Sequence, residues 1–93
     1  MRLKQTQIEA ELRKIKGWKL RGMSISKLYV FEDFMQGIRF IDRVAPEAER
    51  MNHHPDIYVQ YNRVKLTLTT HDEGGLTRKD FKLAARIDRI KPR

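Results

Sequence analysis

The sequence predicts a single α+β domain over residues 1–93, with the element order α-β-β-α-β-β-α and a four-stranded antiparallel sheet that carries its helices on one face. Three observations predict it. Apolar residues recur at helical spacing in three segments, strand-forming patterns fill the two regions between them, and no linker or fixed-period repeat divides the chain. At this length one core is only modestly stabilising, so self-association is expected to contribute.

The first helix is predicted to begin near Thr6, which together with Glu9 has the spacing of a capping box. Apolar residues then follow in steps of four and three: Ile8, Leu12 and Ile15. Gly17 supplies the stop signal. The segment is therefore interpreted as a short amphipathic helix.

Residues 18–31 are predicted to form a β-hairpin. Trp18 and Leu20 alternate with basic residues, Gly22 marks a turn, and residues 25–31 are rich in β-branched and aromatic side chains. Trp18 directly follows the helix stop and keeps the alternation. This favours a core position between helix and sheet over a role as a ligand platform.

A long second helix is predicted after Asp33, because Asp33 and Gln36 repeat the capping arrangement. Its apolar stripe has steps of four, three, four and three: Phe34, Ile38, Ile41, Ala45 and Ala48. Pro46 interrupts the pattern, since proline inside a helix removes one hydrogen bond and costs about 3 kcal/mol. We expect a bend or a restart there, with Pro46 in the first turn of the segment that delivers His53.

Two further strands are predicted at residues 57–61 and 64–69, with Asn62-Arg63 as a short link. Their buried face is expected to contain every second residue of the second strand: Val64, Leu66 and Leu68. Strict alternation then sends His71 to the opposite face unless the strand ends or bulges before Thr70. Both possibilities stay open at this point.

The last helix is predicted to begin at the cap residue Thr77. An apolar stripe marks its inner side: Leu83, Ala84, Ile87 and Ile90. Asp80 lies four residues before Ala84, so its carboxylate is expected on that inner side, where it could cap the helix, orient a histidine, or do both. The opposite side carries a basic stripe: Arg78, Lys82, Arg86, Arg89 and Arg93.

The composition narrows the class of protein. No cysteine is present, which excludes disulfides and thiolate zinc sites. No apolar run reaches membrane-spanning length and the first residues carry no signal-peptide pattern, so we expect a soluble cytoplasmic protein with no membrane partner. The formal net charge of +8 is high for 93 residues, and it would attract polyanions or improve solubility.

All three histidines lie in two short segments, residues 49–55 and 70–80. Because histidine exchanges protons near neutral pH, this placement predicts acid/base chemistry by His53, His54 and His71. The alternative interpretation is a set of solvated or capping histidines. The proline after His54 forbids helix continuation, so the two adjacent rings are expected to point in different directions and to do different jobs.

No metal and no cofactor are predicted. Zinc ligands commonly project from one face, whereas adjacent His53 and His54 could reach one ion only from a strained backbone. The sequence also lacks a glycine-rich phosphate loop, a Gly-x-Ser-x-Gly elbow and a cysteine nucleophile, so covalent catalysis has little support. The residues alone predict a soluble α+β domain with a histidine acid/base site.

The same residues carry a resemblance to a known family. An acidic residue, His-His-Pro, an aromatic residue, a histidine and an aspartate follow one another at matching spacing: Glu49, His53, His54, Pro55, Tyr61, His71 and Asp80. Supporting matches extend over nearly the whole chain. The chain thus resembles the pterin-4a-carbinolamine dehydratases. It departs from them at Ile57, where many members carry tryptophan, which leaves Tyr58 or Tyr61 to supply the aromatic wall of the site.

The resemblance implies dehydration of 4a-hydroxytetrahydrobiopterin to quinonoid dihydropterin and water, the step that recycles tetrahydrobiopterin after aromatic amino-acid hydroxylation. It assigns proton transfer at the leaving hydroxyl to His53 and His71, and binding of the pterin chiefly to His54. Asp80 would orient His71, and Glu49 would hold one of the two adjacent histidines. The remaining residues expected to bind substrate are Pro55, Tyr61 and Thr70.

The resemblance also implies partners. A pterin is the expected small-molecule substrate, and a homodimer or homotetramer is expected because members of the family form both and open strand edges invite pairing. Members include dimerisation partners of a transcription factor, so a non-enzymatic basic binding module is the alternative. Nucleic acid could follow the basic stripe, but no aromatic residues interleave with that stripe, which favours a solvated helix face.

Overall fold

The computed structural model describes residues 1–91 and confirms the predicted order of elements. The helices and strands are α1 Gln5–Leu12, β1 Lys19–Arg21, β2 Ser24–Val30, α2 Phe34–Met51, β3 Asp56–Gln60, β4 Arg63–Leu68 and α3 Arg78–Asp88, with a short 3-10 turn at His71–Glu73. Arg93, the last member of the predicted basic stripe, lies outside the described residues. Within residues 1–91 no helix is both long enough and apolar enough to cross a bilayer.

The four strands form one antiparallel sheet in the order β1-β2-β4-β3, with the helices on one face. The predicted buried face of β4 is confirmed, because its three apolar side chains are 0% exposed: Val64, Leu66 and Leu68. Asp56, the first residue of β3, pairs with Thr67 near the end of β4. This register brings the segment before β3 and the segment after β4, which together hold all three histidines, to the same end of the sheet.

Helix α1 begins at Gln5, so Thr6 lies inside the helix and the predicted capping box of Thr6 with Glu9 is wrong. The backbone of Lys4 is extended, and its N–H donates to Oε1 of Gln7 at 2.8 Å. The Gln7 side chain therefore satisfies the backbone donor of Lys4, and the helix is capped two residues earlier than the sequence pattern indicated.

Helix α2 begins at the predicted cap, where Asp33 Oδ1 accepts the backbone N–H of Gln36 at 2.8 Å. The helix then continues through Pro46 to Met51, so the predicted restart is wrong. Proline at position 46 leaves the carbonyl of Asp42 without its helical hydrogen bond. Both residues are on the exposed side of the helix. Water can replace the missing hydrogen bond there, which limits the cost of the proline.

The predicted apolar stripe of α2 is only partly right, because Ala48 is its one fully buried member and Ile41 packs at the edge of the core. The buried residues are Gly37, Phe40, Val44 and Ala48, whereas Phe34 and Ala45 are exposed. Gly37 explains the difference, because a Cβ atom at this position would lie 3.3 Å from Cγ2 of Val64. The helix approaches the sheet closely through its glycine, a residue that a count of apolar side chains leaves out.

The turn between β3 and β4 consists of Tyr61 and Asn62, one residue earlier than predicted. Tyr61 has φ +52°, and the side-chain amide of Asn62 donates to the carbonyl of Phe31 at 2.8 Å. Asn62 is thus fixed to the end of β2, and β4 begins at Arg63.

Trp18 occupies the predicted core position and is 7% exposed. Its indole Nε1–H donates to Oδ2 of Asp88 at 3.0 Å, while Lys27 Nζ and the Tyr29 hydroxyl donate to Oδ1 at 2.9 and 2.6 Å. Burial, and then the hydrogen bond to Asp88, raise the pKa of Tyr29 well above its usual value, so this hydroxyl keeps its proton. One carboxylate therefore ties the end of α3 to the first hairpin.

We expect Asp88→Asn to lower the free energy of unfolding by about 2 kcal/mol, because an amide has one acceptor atom where the carboxylate has two and carries no charge for Lys27. Urea unfolding at neutral pH measures the change. Asp42→Asn, an equal change of charge at an exposed position, is the matched control and should have wild-type stability. Equal urea midpoints for Asp88→Asn and the wild type would contradict the role of Asp88 in joining α3 to the first hairpin.

Candidate active site

Asp80 is the centre of the candidate site and is 0% exposed. The predicted cap of α3 is confirmed, because Thr77 Oγ1 accepts the N–H of Lys79 at 3.3 Å and Asp80 Oδ2 accepts the N–H of Thr77 at 2.9 Å. This reciprocal capping fixes the carboxylate at the first turn of the helix. Its inward position, expected from the helical spacing, is likewise confirmed.

The same carboxylate contacts two of the other site residues. His53 Nε2 lies 2.5 Å from Asp80 Oδ1, and the Thr70 hydroxyl donates to Oδ2 at 2.8 Å. Since Thr70 gives its only hydroxyl proton to Asp80, the 2.9 Å contact between the two threonine hydroxyls is a donation from Thr77 to Thr70. We refer to Asp80, His53, Thr70 and Thr77 as the Asp80 network.

Three contacts of the Asp80 network meet the carboxylate itself. Asp80 accepts from the Thr77 amide and the Thr70 hydroxyl, which assigns the proton of the third contact to His53 Nε2. The other ring nitrogen, Nδ1, is then the one that can exchange a proton with a ligand.

The prediction that Asp80 orients His71 is wrong, because Asp80 holds His53 instead. The cause is the end of β4 at Leu68, which is one of the two outcomes left open by the alternation of that strand. Thr70 is buried and bridges Gly75, whereas His71 starts the 3-10 turn with an exposed side chain. His71 is therefore fixed to the Asp80 network through its neighbour in the chain and not through its ring.

A glycine closes the 3-10 turn that carries His71. Gly74 has φ +71°, a left-handed conformation that glycine adopts without strain, and its N–H donates to the carbonyl of His71 at 3.1 Å. Gly75 then returns to the sheet, where its carbonyl accepts the N–H of Thr70 at 3.2 Å. The two glycines keep the backbone of His71 beside the Asp80 network.

The end of α2 explains why the two adjacent histidines point differently. Asn52 adopts a left-handed conformation with φ +47°, its N–H bonds the Glu49 carbonyl, and the N–H of His53 bonds the Ala48 carbonyl, each at 3.1 Å. This cap sends the His53 ring into the protein, where 9% of the residue is exposed, and leaves His54 outside. Asparagine just after a helical stripe is a known end signal that the sequence prediction overlooked.

His54 has its own carboxylate partner. Its Nε2 lies 2.5 Å from Oε2 of Glu49, and both side chains are more than half exposed. Of the two histidines that Glu49 was expected to hold, the structure thus pairs it with His54. The result is one buried and one exposed His–carboxylate pair at the same end of the sheet.

Two other predicted site residues lie in different places. Pro55 is half-buried and directly precedes β3, beside the histidines. Tyr61 lies in the turn before β4, so the length of that strand, about 17 Å, separates it from the residues that follow Leu68. Within one chain, Tyr61 is therefore not brought to the Asp80 network.

Ile57 and Tyr58 lie near the start of β3, close to the histidines, and their side chains are on opposite faces of the sheet. Ile57 pairs with buried Leu66 on the helix side and is 42% exposed. Tyr58 pairs with Lys65 on the open side and is 62% exposed. Of these two residues, Ile57 lies on the same side of the sheet as the Asp80 network.

A hollow of about 360 Å³ opens beside the Asp80 network. Thr70 and Thr77 form part of its wall, and Arg78 and Lys79 form its basic side. Within residues 1–91, no three His, Cys, Asp or Glu side chains are grouped so that they could hold a metal ion. The lining of the hollow thus offers hydroxyl, carboxylate and cationic groups, and the three histidines lie outside that lining.

Comparison with known proteins shows what the chain is similar to. The family model described as pterin 4 alpha carbinolamine dehydratase matches residues 1–90. A candidate pterin-4-alpha-carbinolamine dehydratase of Sulfurisphaera tokodaii is 46% identical, with 96% of each chain covered. One from a Nostoc species is also 46% identical, with 95% of each chain covered.

Two solved structures are similar as well. A transcriptional coactivator/pterin dehydratase from Brucella melitensis has a TM-score of 0.90 at 36% identity, covering 95% of this chain and 96% of the other. A pterin dehydratase-like protein described as a RuBisCO assembly factor of the alpha-carboxysome has a TM-score of 0.62 at 25% identity, covering 76% and 82%. The family match over nearly every residue and the shared fold lead to one conclusion: the chain belongs to the pterin 4 alpha carbinolamine dehydratase family.

Proposed function

We propose that the protein is a dehydratase that converts 4a-hydroxytetrahydrobiopterin to quinonoid dihydropterin and water, and so takes part in tetrahydrobiopterin recycling. One observation carries the proposal. A single buried carboxylate, Asp80, holds the ring of His53 and the hydroxyl of Thr70, the residue before His71. Segments that are far apart in the chain, each with a histidine of the family signature, are thereby fixed at one place.

The reaction needs two proton transfers. The hydroxyl on C4a leaves as water after it gains a proton, the electron pair of the ring nitrogen forms the new double bond, and the ring N–H loses its proton. Positioned acid and base groups typically accelerate such steps by about 10² to 10⁴. No redox change occurs, so the atoms balance without an oxidant or a cofactor.

We assign proton transfer at the leaving hydroxyl to His53 and His71. Nδ1 of His53 exchanges the proton while Asp80 holds Nε2, so the ring is oriented for that transfer. His71 is exposed at the rim of the site and serves the other side of the pterin ring. This arrangement lets one imidazole deliver a proton while the other accepts one.

We assign binding of the pterin to the exposed pair and its neighbours. His54 and Glu49 offer a donor and an acceptor for the polar edge of the heterocycle, and Pro55 offers an apolar contact. The Thr70 hydroxyl already donates to Asp80, so Thr70 acts mainly by holding the network. Ile57 offers less contact area than the tryptophan found in many relatives, which weakens binding of the ring without removing the proton-transfer groups.

The test is to follow the disappearance of chemically generated 4a-hydroxytetrahydropterin with and without the protein. We expect the protein to accelerate the reaction by about 10² or more over buffer, as acid and base groups in position do. Dialysis against a chelator should leave this rate unchanged. A rate equal to that in buffer, from folded protein with all three histidines present, would reject the proposal.

That negative outcome would favour the second candidate, a non-enzymatic binding or assembly protein. Two observations support this alternative. The solved relatives include one described as a transcriptional coactivator/pterin dehydratase and one described as a RuBisCO assembly factor. In addition, the net charge of +8 is not explained by a nearly neutral pterin substrate.

Self-association remains part of the proposal. Among residues 1–91, β1 and β3 are the outer strands of the sheet, and each pairs with one neighbour only. Open edges of this kind are templates for pairing with a second chain. A solution mass at two or four times 11.1 kDa would support the homodimer or the homotetramer, respectively.

A further inference from the structure

A second concave site lies on the other side of α3 from the sheet. This groove has a volume of about 630 Å³ and runs between the ends of α1 and α2 and the outer side of α3. Its lining includes none of the three histidines and none of the Asp80 network. It shares Arg78 and Lys79 with the hollow beside the Asp80 network, and its other lining residues are different.

The walls of the groove are strongly basic. Six of its lining residues are cationic: Lys14, Arg50, Arg78, Lys79, Lys82 and Arg86. Glu11 is the one acidic residue among those that line it, and it is shared by Lys14 and Arg78 at 3.2 and 3.4 Å. The positive charge of the walls is thus only partly compensated.

Two of these cations lie together without a carboxylate. Lys79 and Lys82 are exposed, three residues apart on α3, and within residues 1–91 neither has an acidic group at ion-pair distance. By contrast, Arg50 and Arg86 both contact Glu47. The two lysines therefore offer the free positive charge of the groove to a ligand.

The floor of the groove is apolar. Ile15, Met51 and Ala85 are half-buried there, and Phe81 closes the floor from below with 4% exposure. Cations alone on a helix are usually a solvated surface, but here they surround apolar side chains in a concavity. That combination matches a molecule with an apolar body and a charged end.

We propose that this groove binds a small organic anion that carries an aromatic or aliphatic body and a phosphate group. The size supports a small molecule: the volume lies within the usual range of about 300 to 1,000 Å³ for ligand pockets. From Arg78 to Arg86, the α3 side of the groove is about 12 Å long, at a rise of about 1.5 Å per residue. A protein partner would need roughly 20 to 30 residues on each side, which is more than the groove provides.

The test uses 1-naphthyl phosphate as the probe, with 1-naphthol and inorganic phosphate as its two halves. Calorimetry gives the affinities, and methyl NMR signals of Ile15, Met51 and Ala85 report the place of binding. We expect the whole probe to bind more tightly than either half and to shift the three methyl signals. Shifts confined to other methyl groups would overturn the proposal.

The variant Lys79→Ala/Lys82→Ala should weaken binding of 1-naphthyl phosphate by about tenfold, which corresponds to about 1.4 kcal/mol. The matched control is Lys19→Ala/Lys65→Ala, which removes the same charge from the open face of the sheet and should leave the affinity unchanged. Equal losses in both variants would show attraction by net charge alone and would overturn the site. Neither result depends on pterin turnover, so the proposed dehydratase activity is tested separately.

Discussion

Asp80→Asn should lower the turnover number for dehydration by about 10² and the free energy of unfolding by about 3 kcal/mol. The carboxylate accepts hydrogen bonds from His53, Thr70 and the Thr77 amide. Asparagine can keep its oxygen on Thr70 and the Thr77 amide, but its NH₂ group then faces Nε2 of His53 and reverses the tautomer of the ring, and the hydrogen bonds lose the charge of their acceptor. Turnover of 4a-hydroxytetrahydropterin and urea unfolding measure the two effects.

The control for this substitution is Asp33→Asn. Asp33 caps α2 by accepting from the backbone of Gln36, and asparagine caps helices about as well as aspartate. Both quantities should therefore stay at wild-type values in the control. If Asp80→Asn loses stability but keeps its turnover per folded molecule, then the Asp80 network is structural and His53 does not depend on it for proton transfer.

Replacing either proton-transfer histidine should have the second large effect. His53→Ala and His71→Ala are each expected to lower turnover by about 10² to 10⁴, because each removes one of the two groups that move protons. His71→Ala should keep wild-type stability, since the ring of His71 is exposed. His53→Ala should also remain folded, although it leaves Asp80 with one partner fewer.

Steady-state kinetics and circular dichroism on the same preparations check both variants. Gln60→Ala, at an exposed position near the opposite end of β3, is the control for nonspecific effects. The double variant should be no faster than the slower single variant, because both residues act in one reaction. Wild-type turnover in the double variant would refute the assignment of both histidines.

The sequence predicted most elements because their patterns were long and regular. Alternation in β4 identified Val64, Leu66 and Leu68, which are the centre of the core. The face of α2 was predicted only in part because Gly37 has no side chain to count, yet its small size decides how closely that helix approaches the sheet. How closely two elements pack depends on the side-chain volumes in both segments. It therefore cannot be read from the pattern within one segment.

The candidate site was predictable in its members but not in its pairings. Asp80, Thr77 and the inward side of α3 followed from helical spacing. Which histidine Asp80 would contact depended on where β4 ended, and a shift of one residue there reverses the face. The left-handed cap at Asn52, which separates the directions of His53 and His54, had a readable signal that was not used.

The contact between Trp18 and Asp88 joins residues that are 70 positions apart. Closing so long a segment costs more chain entropy than closing either hairpin, so we expect this hydrogen bond to form late in folding. Trp18 is also the one tryptophan of the chain. Its fluorescence accordingly reports the final docking of the last helix, and it gives a single optical signal for complete folding.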